Sequence, residues 1–488
     1  MGLNYLASLS HFVPELLACV TMFGLILIEA TYKEEHKERG LFFFAAYIGF
    51  ASVLTFLCLN LKHEAVAIFT NSAVIDPFST LLKIVMVLGT MGATYLVSQS
   101  KDIEGNLRPE FTIMATGVLV GGMLLSSANN MLLLYIGIET LSILSYVLAS
   151  LKKSDDRSSE AGLKYSLYGG ISAGIMLFGM SHIFGVLGTI NFTEIGVALQ
   201  ELTTVQVAIL LPSFLLFLAG LGYKIACVPF HMWSPDVYEG SPIPVTTFFS
   251  VVPKVAGLAA LIRITTVFFS HEGAMNMGWV GILSVIAALT MTVGNISAIG
   301  QRSVKRMLAY SSISHAGVML LGILVISEVG IRSVVFYAIT YLFMNLVAFY
   351  IVSFVNDKYG NDHFERFNGL IYRYPVMSIM MAITMFSLAG LPPFSGFVAK
   401  FHIFNAIVIK KYYVLAIIAG LNSVISMYYY MKIIRLMVLK PAESEEQISG
   451  FSLLNQGIIV SLTVPVLFLG IFWEKIMLVA TNAKIFLE

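Results

Sequence analysis

Two lysines lie in apolar sequence around a proline-rich segment, and their positions indicate proton chemistry. Lys224 lies within GLGYKIAC, and Lys254 ends the stretch VPFHMWSPDVYEGSPIPVTTFFSVVPK, residues 228–254. Burial in apolar surroundings lowers the pKa of a lysine, whereas a nearby carboxylate raises it. An amine in such a position can therefore release a proton when a carboxylate moves away and take one up when it returns.

Further ionisable residues lie in other apolar segments. Glu139 lies within NNMLLLYIGIETLSILSYVL and is the predicted partner of Lys224, with a purely structural ion pair as the alternative. His231, His315 in YSSISHAG and Lys400 extend the set, because an imidazole that titrates near neutral pH suits a proton relay. The alternative for each histidine is a hydrogen-bonded residue of the core. The predicted order of a mid-membrane proton pathway is Glu139, Lys224, His231, Lys254, His315 and Lys400.

The elements that must hold these residues are membrane-spanning helices. Of the 488 residues, 58% are hydrophobic and 12% are charged, and the mean hydropathy is +0.85. Soluble domains carry about 25% charged residues. A span needs about 20 mostly apolar residues, and this rule predicts an all-α polytopic membrane protein with about fourteen transmembrane helices and no strands. The predicted spans are 11–30, 40–60, 76–100, 108–126, 130–151, 160–188, 206–233, 242–270, 278–299, 303–327, 331–354, 376–409, 412–438 and 452–481.

The basic residues predict the orientation of these helices. One set of alternate loops holds more than half of the 29 Lys and Arg residues. The positive-inside rule places these loops in the cytoplasm and both termini outside. Arg263 and Lys475 lie close enough to predicted helix ends for their charged groups to reach water. Lys83 and Lys164 lie in the first turns of their helices, where functional and structural roles are both open.

Two similar segments predict an internal repeat. FLAGLGYKIACVPFH, residues 217–231, and SLAGLPPFSGFVAKFH, residues 387–402, share LAGL, a proline, a lysine and a final Phe-His. An odd number of predicted helices separates the copies, so they enter the membrane from opposite sides, as in transporters built from inverted repeats. Mid-span Gly and Pro predict discontinuous seventh and twelfth helices whose segments 220–229 and 390–393 line a polar cavity. The predicted units are three leading helices in 1–105, two inverted five-helix repeats in 106–272 and 273–440, and a last helix in 441–488.

The sequence contains no recognisable motif for a cofactor. Cys19, Cys58 and Cys227 are isolated from one another, which argues against an iron–sulfur cluster, a zinc site or a disulfide. There is no Walker A loop and no GxGxxG segment after a strand. The net charge of +1 gives no electrostatic argument for nucleic acid.

The segment VPFHMWSPDVYEGSPIPVTTFFSVVPKVAG resembles the signature of the antiporter-like membrane subunits of respiratory complex I, and the resemblance covers essentially the whole chain. Within that family, YKIACVPFHMWSPDVYEGSP is most similar to the subunit N branch. The subunit M branch is expected to carry glutamate at the position of Lys400, and the subunit L branch a long helix after the last repeat. Pro253 departs from the family pattern, which has a small polar residue before the lysine.

The resemblance implies a proton-translocating subunit in the membrane arm of a NADH–quinone oxidoreductase, a translocase of the bacterial inner membrane. It implies an ion pair between Glu139 and Lys224, a central Lys254 and a distal Lys400, with His231 and His315 as relay positions. FMN, iron–sulfur clusters and quinone would belong to partner subunits and none to this chain. The expected neighbours are the antiporter-like subunit M and the small subunit K.

Three other functions remain open at the level of sequence. A subunit of a multisubunit cation/proton antiporter would share the fold. A haem-binding membrane cytochrome would take axial ligands from His182, His231, His315 or His402, although no paired-histidine pattern across two helices is present. A purely structural scaffold would leave the buried lysines without a role.

Overall fold

The computed structural model describes residues 5–31, 40–269, 274–441 and 452–482, which form a bundle of helices. Thirteen helices in these ranges are long and apolar enough to cross a membrane. Two shorter apolar helices, Pro375–Ala389 and Ser395–Ile409, follow one another and together fill the place of a further span. The prediction of an all-α polytopic membrane protein is confirmed.

The helices are named here in chain order. They are α1 (Tyr5–His11), α2 (Val13–Thr31), α3 (Gly40–Asn60), α4 (Pro77–Gln99), α5 (Leu107–Ser127), α6 (Met131–Ala149), α7 (Asp156–Leu187), α8 (Phe192–Ala198), α9 (Thr204–Ile225), α10 (Trp233–Gly240), α11 (Ile243–Phe269), α12 (Ala274–Ile299), α13 (Val304–Leu324), α14 (Glu328–Tyr359), α15 (Leu370–Arg373), α16 (Pro375–Ala389), α17 (Ser395–Ile409), α18 (Tyr413–Leu439), α19 (Leu453–Ile471) and α20 (Trp473–Asn482). Two 3-10 turns, Leu199–Glu201 and Phe364–Phe367, complete the helical elements of the described ranges.

The helices sort into a buried centre and an exposed periphery. Helix α11 runs through the middle and is buried on all sides, with α4, α5, α13 and α14 also largely buried. Helices α2, α3, α7, α18 and α19 leave most of their residues at least partly exposed. A helix that is apolar all round suits either a protein core or lipid. Lys254 on α11 and Lys400 on α17 are both buried, so the surrounding helices screen them from the lipid.

Two helix pairs pack in the same way, as expected for repeated units. Gly121 on α5 and Gly137 on α6 let the two backbones approach so closely that an added Cβ would lie 2.7–2.9 Å from the facing main chain. Gly294 on α12 and Gly317 on α13 allow the same close approach, because an added Cβ at either would lie 2.7 Å from the main chain of the facing helix. Small residues at the interface are typical of close helix packing in membranes. This likeness supports the predicted repeat, whose boundaries stay a prediction.

Two features of the fold differ from the expected one. A short antiparallel hairpin, β1 (Val66–Ile68) paired with β2 (Ala73–Ile75), lies between α3 and α4, so the prediction that the chain has no strands is wrong. Strands of three residues are too short to show an alternating pattern in the sequence. The predicted last span is interrupted at Phe472, where α19 ends and α20 begins.

Both predicted helix breaks are present, but they lie at different points of the repeated motif. In the first copy, Gly220 is inside α9, where it packs against Met176, and the helix ends later, at Ala226 with a φ of 58°. Residues 226–232 then connect α9 to α10 without regular structure. In the second copy, Gly390, with a φ of 86°, ends α16, and residues 390–394 lead to α17.

Candidate functional site

Lys224 lies in the last turn of α9, with 1% of its surface exposed. Its Nζ has no hydrogen-bond partner among the described residues and stands 5.6 Å from the ring centroids of Tyr165 and Tyr223. Tyr165 stacks in turn on Trp233, the first residue of α10, with the centroids 4.4 Å apart. The face of an aromatic ring attracts a cation. The amine is therefore surrounded by aromatic rings instead of being held by a counter-ion.

Glu139 lies on α6 and is half-buried, with its Oε1 enclosed and without a hydrogen-bond partner in the described chain. The carboxylate is within electrostatic range of Lys224. The direct ion pair expected from the sequence is nevertheless not formed in this structure, because Nζ of Lys224 has no hydrogen-bond partner and lies against the tyrosine rings. The two charges interact at a distance, so a small displacement of either helix changes their interaction.

Lys254 lies on α11 and is 1% exposed. Its Nζ donates a hydrogen bond to Oγ of Ser312 on α13 and lies 5.7 Å from the ring centroid of Tyr238 on α10. Pro253, directly before the lysine, lies inside α11. A proline within a helix removes one backbone hydrogen bond and bends the helix. The central lysine thus directly follows a proline in the most deeply buried helix.

His315 continues this arrangement on α13, one turn beyond Ser312. Its Nδ1 is 2.6 Å from the hydroxyl of Tyr337 on α14, and its Nε2 is 2.9 Å from the hydroxyl of Tyr430 on α18. The Tyr430 hydroxyl also shares a hydrogen bond with Ser311. His315 is within electrostatic range of both Lys254 and Lys400. The imidazole thus lies between the two lysines with hydroxyl groups on both of its nitrogens.

Lys400 lies on α17, just after the second break, and is 6% exposed. Its Nζ donates hydrogen bonds to the carbonyl oxygens of Leu388 and Ala389, both at 3.0 Å. These carbonyls belong to the last turn of α16, where the helix has no N–H groups left to satisfy them. The amine therefore caps the negative end of the half-helix that precedes it.

Four residues of the site form what we call the buried basic row. The row is made of Lys224, Lys254, His315 and Lys400. Four buried hydroxyls near it have no hydrogen-bond partner among the described residues: Tyr165, Ser234, Tyr238 and Tyr341. Buried polar groups in proteins are almost always hydrogen-bonded, and internal water supplies the partner where side chains do not. A row of amines, imidazole and hydroxyls of this kind can pass protons from group to group.

Besides Glu139, one further residue of the predicted pathway, His231, is not part of the row. His231 is in the irregular segment of the first break, half-exposed beside the exposed Met232, and its Nδ1 has no partner in the described chain. Trp233 and Tyr238 of α10 lie between the surroundings of Lys224 and Lys254.

Lys164 also lies apart from the row, in an ionic cluster. Its Nζ is 2.7 Å from Oε1 of Glu160 and 2.7 Å from Oδ2 of Asp236, and its side chain is 37% exposed. This position near the start of α7 is open to water. The structure therefore places Lys164, for which the sequence left functional and structural roles open, in a partly exposed ionic cluster and not among the buried lysines.

Sequence reasoning missed two buried ion pairs. Lys83 pairs with Glu15 at 2.5 Å. Arg263 pairs with Asp76 at 2.9 Å, and both side chains are at most 1% exposed. The prediction that Arg263 reaches water is therefore wrong, because its partner is 187 residues away in the sequence and only the fold brings them together. The available signal was an aspartate at the first residue of a predicted span, 76–100.

The described residues contain no group of three or more His, Cys, Asp or Glu side chains that could hold a metal ion. The chemistry that the site itself offers is proton transfer among side chains.

The sequence model of the family described as NADH:quinone oxidoreductase/Mrp antiporter, transmembrane, matches residues 128–426, which include the whole buried basic row. A chain of respiratory complex I from Thermus thermophilus with bound aureothin is 28% identical, with a TM-score of 0.80 over 96% of this chain and all of that one. A chain of the Mrp complex from Dietzia sp. DQ12-45-1b shares the fold, with 21% identity, a TM-score of 0.80 and coverage of 99% and 97%. The fold and the site thus define an antiporter-like membrane subunit.

Curated relatives narrow this class. NADH-quinone oxidoreductase subunit N 2 of Sorangium cellulosum is 40% identical over 495 residues, which cover 97% of each chain. Subunit N of Trichlorobacter lovleyi is 38% identical over 439 residues, 90% of this chain and 89% of the relative. The chain belongs to the NADH-quinone oxidoreductase subunit N family, as its resemblance to the subunit N branch predicted.

Proposed function

We propose that this chain is a proton-translocating subunit in the membrane part of a NADH–quinone oxidoreductase. The observation that carries the proposal is the buried basic row. None of its lysines, Lys224, Lys254 and Lys400, forms an ion pair with a carboxylate among the described residues. A charged side chain in a membrane span is costly and generally functional. Lysine suits proton transfer because it can become neutral, whereas arginine remains charged.

Quinone reduction in partner subunits would supply the energy, and Glu139 would be the point at which it reaches this chain. Moving one charge against 100 mV requires about 2.3 kcal/mol. Two unit charges 4 Å apart interact by about 4 kcal/mol at an effective dielectric constant of 20. Approach and withdrawal of Glu139 relative to Lys224 is therefore sufficient in magnitude to drive one proton step. Protons would pass along the row through Lys254, His315 and Lys400 and leave on the outer side.

The basic loops support the orientation proposed for the chain, with cytoplasmic loops and both termini on the outer side of a bacterial inner membrane. Lys152 pairs with Asp102 at 3.0 Å, and Asp357 accepts a hydrogen bond from the backbone N–H of Lys101 at 3.0 Å. These contacts join the α4–α5 loop, the α6–α7 loop and the end of α14. The described basic loops thus gather at one end of the bundle. The basic residues of 32–39 and Lys484 lie outside the described residues.

In the proposed complex, FMN and the iron–sulfur clusters belong to partner subunits, and the neighbours in the membrane are subunits of the M and K type. The isolated cysteines, of which Cys19 is half-buried, Cys58 exposed and Cys227 buried, are consistent with this division of labour. Co-purification of the tagged chain with NADH dehydrogenase activity would test this assembly.

The proposed function is tested with Lys254→Met in the assembled complex in inverted membrane vesicles. NADH oxidation is followed by absorbance and proton uptake by quenching of a pH-sensitive dye. We expect proton uptake to slow by about 100-fold, the contribution of one positioned proton-transfer group. Lys475→Met, which removes an exposed amine on α20, is the control and should behave as wild type. An unchanged ratio of protons to NADH in Lys254→Met would refute the proposal.

A cation/proton antiporter subunit is the second candidate, because the Mrp chain shares the fold. The higher identity to subunit N relatives favours the first candidate. In the same vesicles, a sodium gradient that moved protons without NADH or quinone would indicate the antiporter instead.

A further inference from the structure

Helix α10 is a short element that contacts the surroundings of two buried lysines. At its start, Trp233 stacks on Tyr165 next to Lys224 and donates its Nε1–H to the carbonyl oxygen of Tyr223 at 3.0 Å. Near its end, the ring of Tyr238 lies 5.7 Å from Nζ of Lys254. The two aromatic rings are themselves 6.4 Å apart. Any displacement of α10 therefore changes the environment of both amines together.

This helix has eight residues, too few to be stable alone in water, so its position depends on its contacts. One group of contacts is ionic and is called here the α10 network. Asp236 is bound by Nζ of Lys164 at 2.7 Å and by a guanidinium nitrogen of Arg306 at 3.0 Å. Arg306 also pairs with Glu239. The network consists of Lys164, Asp236, Glu239 and Arg306, and it attaches α10 to α7 and α13.

The α10 network is accessible to water, whereas Lys224 and Lys254 are buried. Its side chains are 30–37% exposed. Together with the first turns of α7 they line a cavity of about 260 Å³. Surface ion pairs respond to changes in charge and solvent far more readily than buried ones do. The contacts that hold α10 are thus placed where the solvent or a moving neighbour can alter them.

A second group of contacts is steric and lies at the end of α10. Gly240 packs directly on α7, and an added Cβ there would lie 2.5 Å from the carbonyl oxygen of Arg157 and 2.8 Å from Cβ of Ala161. Just beyond, Nζ of Lys305 donates a hydrogen bond to the carbonyl oxygen of Ser241 at 3.0 Å. Asp102 accepts one from the N–H of Ile243 at 2.8 Å. The position of α10 is thus sensitive to a single methyl group.

We propose that α10 couples the Lys224 and Lys254 sites and that Asp236 and Arg306 are positioning residues for proton transfer, acting through the α10 network. This inference rests on the proposed proton translocation. When the network changes, Trp233 and Tyr238 move relative to both amines, so the two lysines change their preference for a proton in concert. Tyr238, whose buried hydroxyl has no partner in the described chain and lies near Ser234 and Ser312, is the group through which the change reaches Lys254.

The test measures protons moved per NADH oxidised in inverted vesicles that contain the assembled complex. Asp236→Asn removes the charge that joins α10 to α7 and α13, and we expect the ratio to fall by about two- to tenfold, as for other residues that couple sites. Asp236→Glu keeps the charge and should restore most of the ratio. Glu160→Gln is the matched control, because it removes the other partner of Lys164 without touching α10.

A second variant moves α10 without changing any charge. Gly240→Ala adds the methyl group that collides with α7, and we expect the ratio to fall in the same direction as for Asp236→Asn. Gly174→Ala is the matched control, because Gly174 also lies on α7 but has open space around the added methyl group. It should leave the ratio unchanged.

The outcomes separate the coupling role from a structural one. If Asp236→Asn and Gly240→Ala lower only the amount of complex, and what remains has the wild-type ratio, α10 is merely structural and the inference fails. Where Asp236→Asn does not assemble, Gly240→Ala decides by the same ratio. Lys254→Met is included as a reference. If it keeps the wild-type ratio, the proposed function itself fails, and if it alone loses pumping, only the role of α10 is overturned.

Discussion

The two helix breaks carry the same short motif but use their lysines in opposite ways. In the first break, Lys224 precedes the irregular segment, and its amine has no hydrogen bond to the described chain. In the second, Lys400 follows the irregular segment and donates two hydrogen bonds to the carbonyls that the break has freed. The order of lysine and proline along the chain decides between the two arrangements.

This difference indicates a division of roles between the breaks. An amine without hydrogen bonds responds strongly to any charge that approaches, which suits a position near Glu139. An amine bound to backbone carbonyls is held in place by the end of a helix, which suits a proton-binding group at a fixed position later in the proposed pathway. In the proposed pathway, the first break would sense a charge and the second would hold a proton at a defined position.

The largest expected effect that tests this difference is the loss of proton transfer in Lys224→Met. Proton uptake by vesicles should fall by about 100-fold. The thermal unfolding midpoint of the purified complex should not decrease, because an apolar side chain replaces a buried amine that makes no hydrogen bond. A clear decrease in that midpoint would show that Lys224 has a structural role as well.

Lys400→Met should affect stability in addition to transport. Loss of the amine leaves the carbonyls of Leu388 and Ala389 without a partner, at a cost of about 1–3 kcal/mol. The midpoint of thermal unfolding should therefore be lower than in Lys224→Met, measured on the same purified complex. Equal midpoints in the two variants would contradict the comparison of the breaks.

Gly390→Ala should destabilise the second break. Its φ of 86° lies in the left-handed region, and an added Cβ would lie 2.8 Å from Cδ of Lys400. We expect a loss of about 1–2 kcal/mol from the backbone conformation alone. Gly420→Ala, on α18 with open space around it, is the control for the substitution itself.

Ala226→Gly should have a smaller effect of opposite sign at the first break. Ala226 adopts a φ of 58°, a conformation that glycine adopts without steric cost. We expect a gain of up to about 1 kcal/mol, reduced by the greater freedom of glycine in the unfolded chain. A destabilised protein would indicate that the methyl group of Ala226 makes packing contacts that outweigh the backbone strain.

Much of the framework could be predicted from the sequence because its signals are local. Long apolar runs mark the spans, and Gly and Pro within them mark the breaks. Lysines inside such runs are visible as candidates without any structure. The exact end of α9 was not visible, because LAGL stays helical in one copy and ends the helix in the other.

The surroundings of the lysines could not be predicted, since they depend on contacts between distant segments. Tyr238 and Trp233 were visible in the proline-rich stretch, but nothing in their spacing placed them between Lys224 and Lys254. His231 was predicted for the pathway from the same stretch, and its role stays a prediction. The partners of His315 come from α14 and α18, far along the chain.

The pair between Asp76 and Arg263 has a consequence for how the protein is made. An arginine within a span costs about 2.5–3.5 kcal/mol during insertion into the bilayer, as judged by translocon scales. Segments nearer the N-terminus emerge first from the ribosome. The aspartate at the start of α4 is therefore already in the membrane when α11 arrives, and it can receive the guanidinium as that helix is inserted. The order of segments in the gene is thereby part of the biogenesis of this protein, and a rearranged chain that begins with α11 should be inserted poorly.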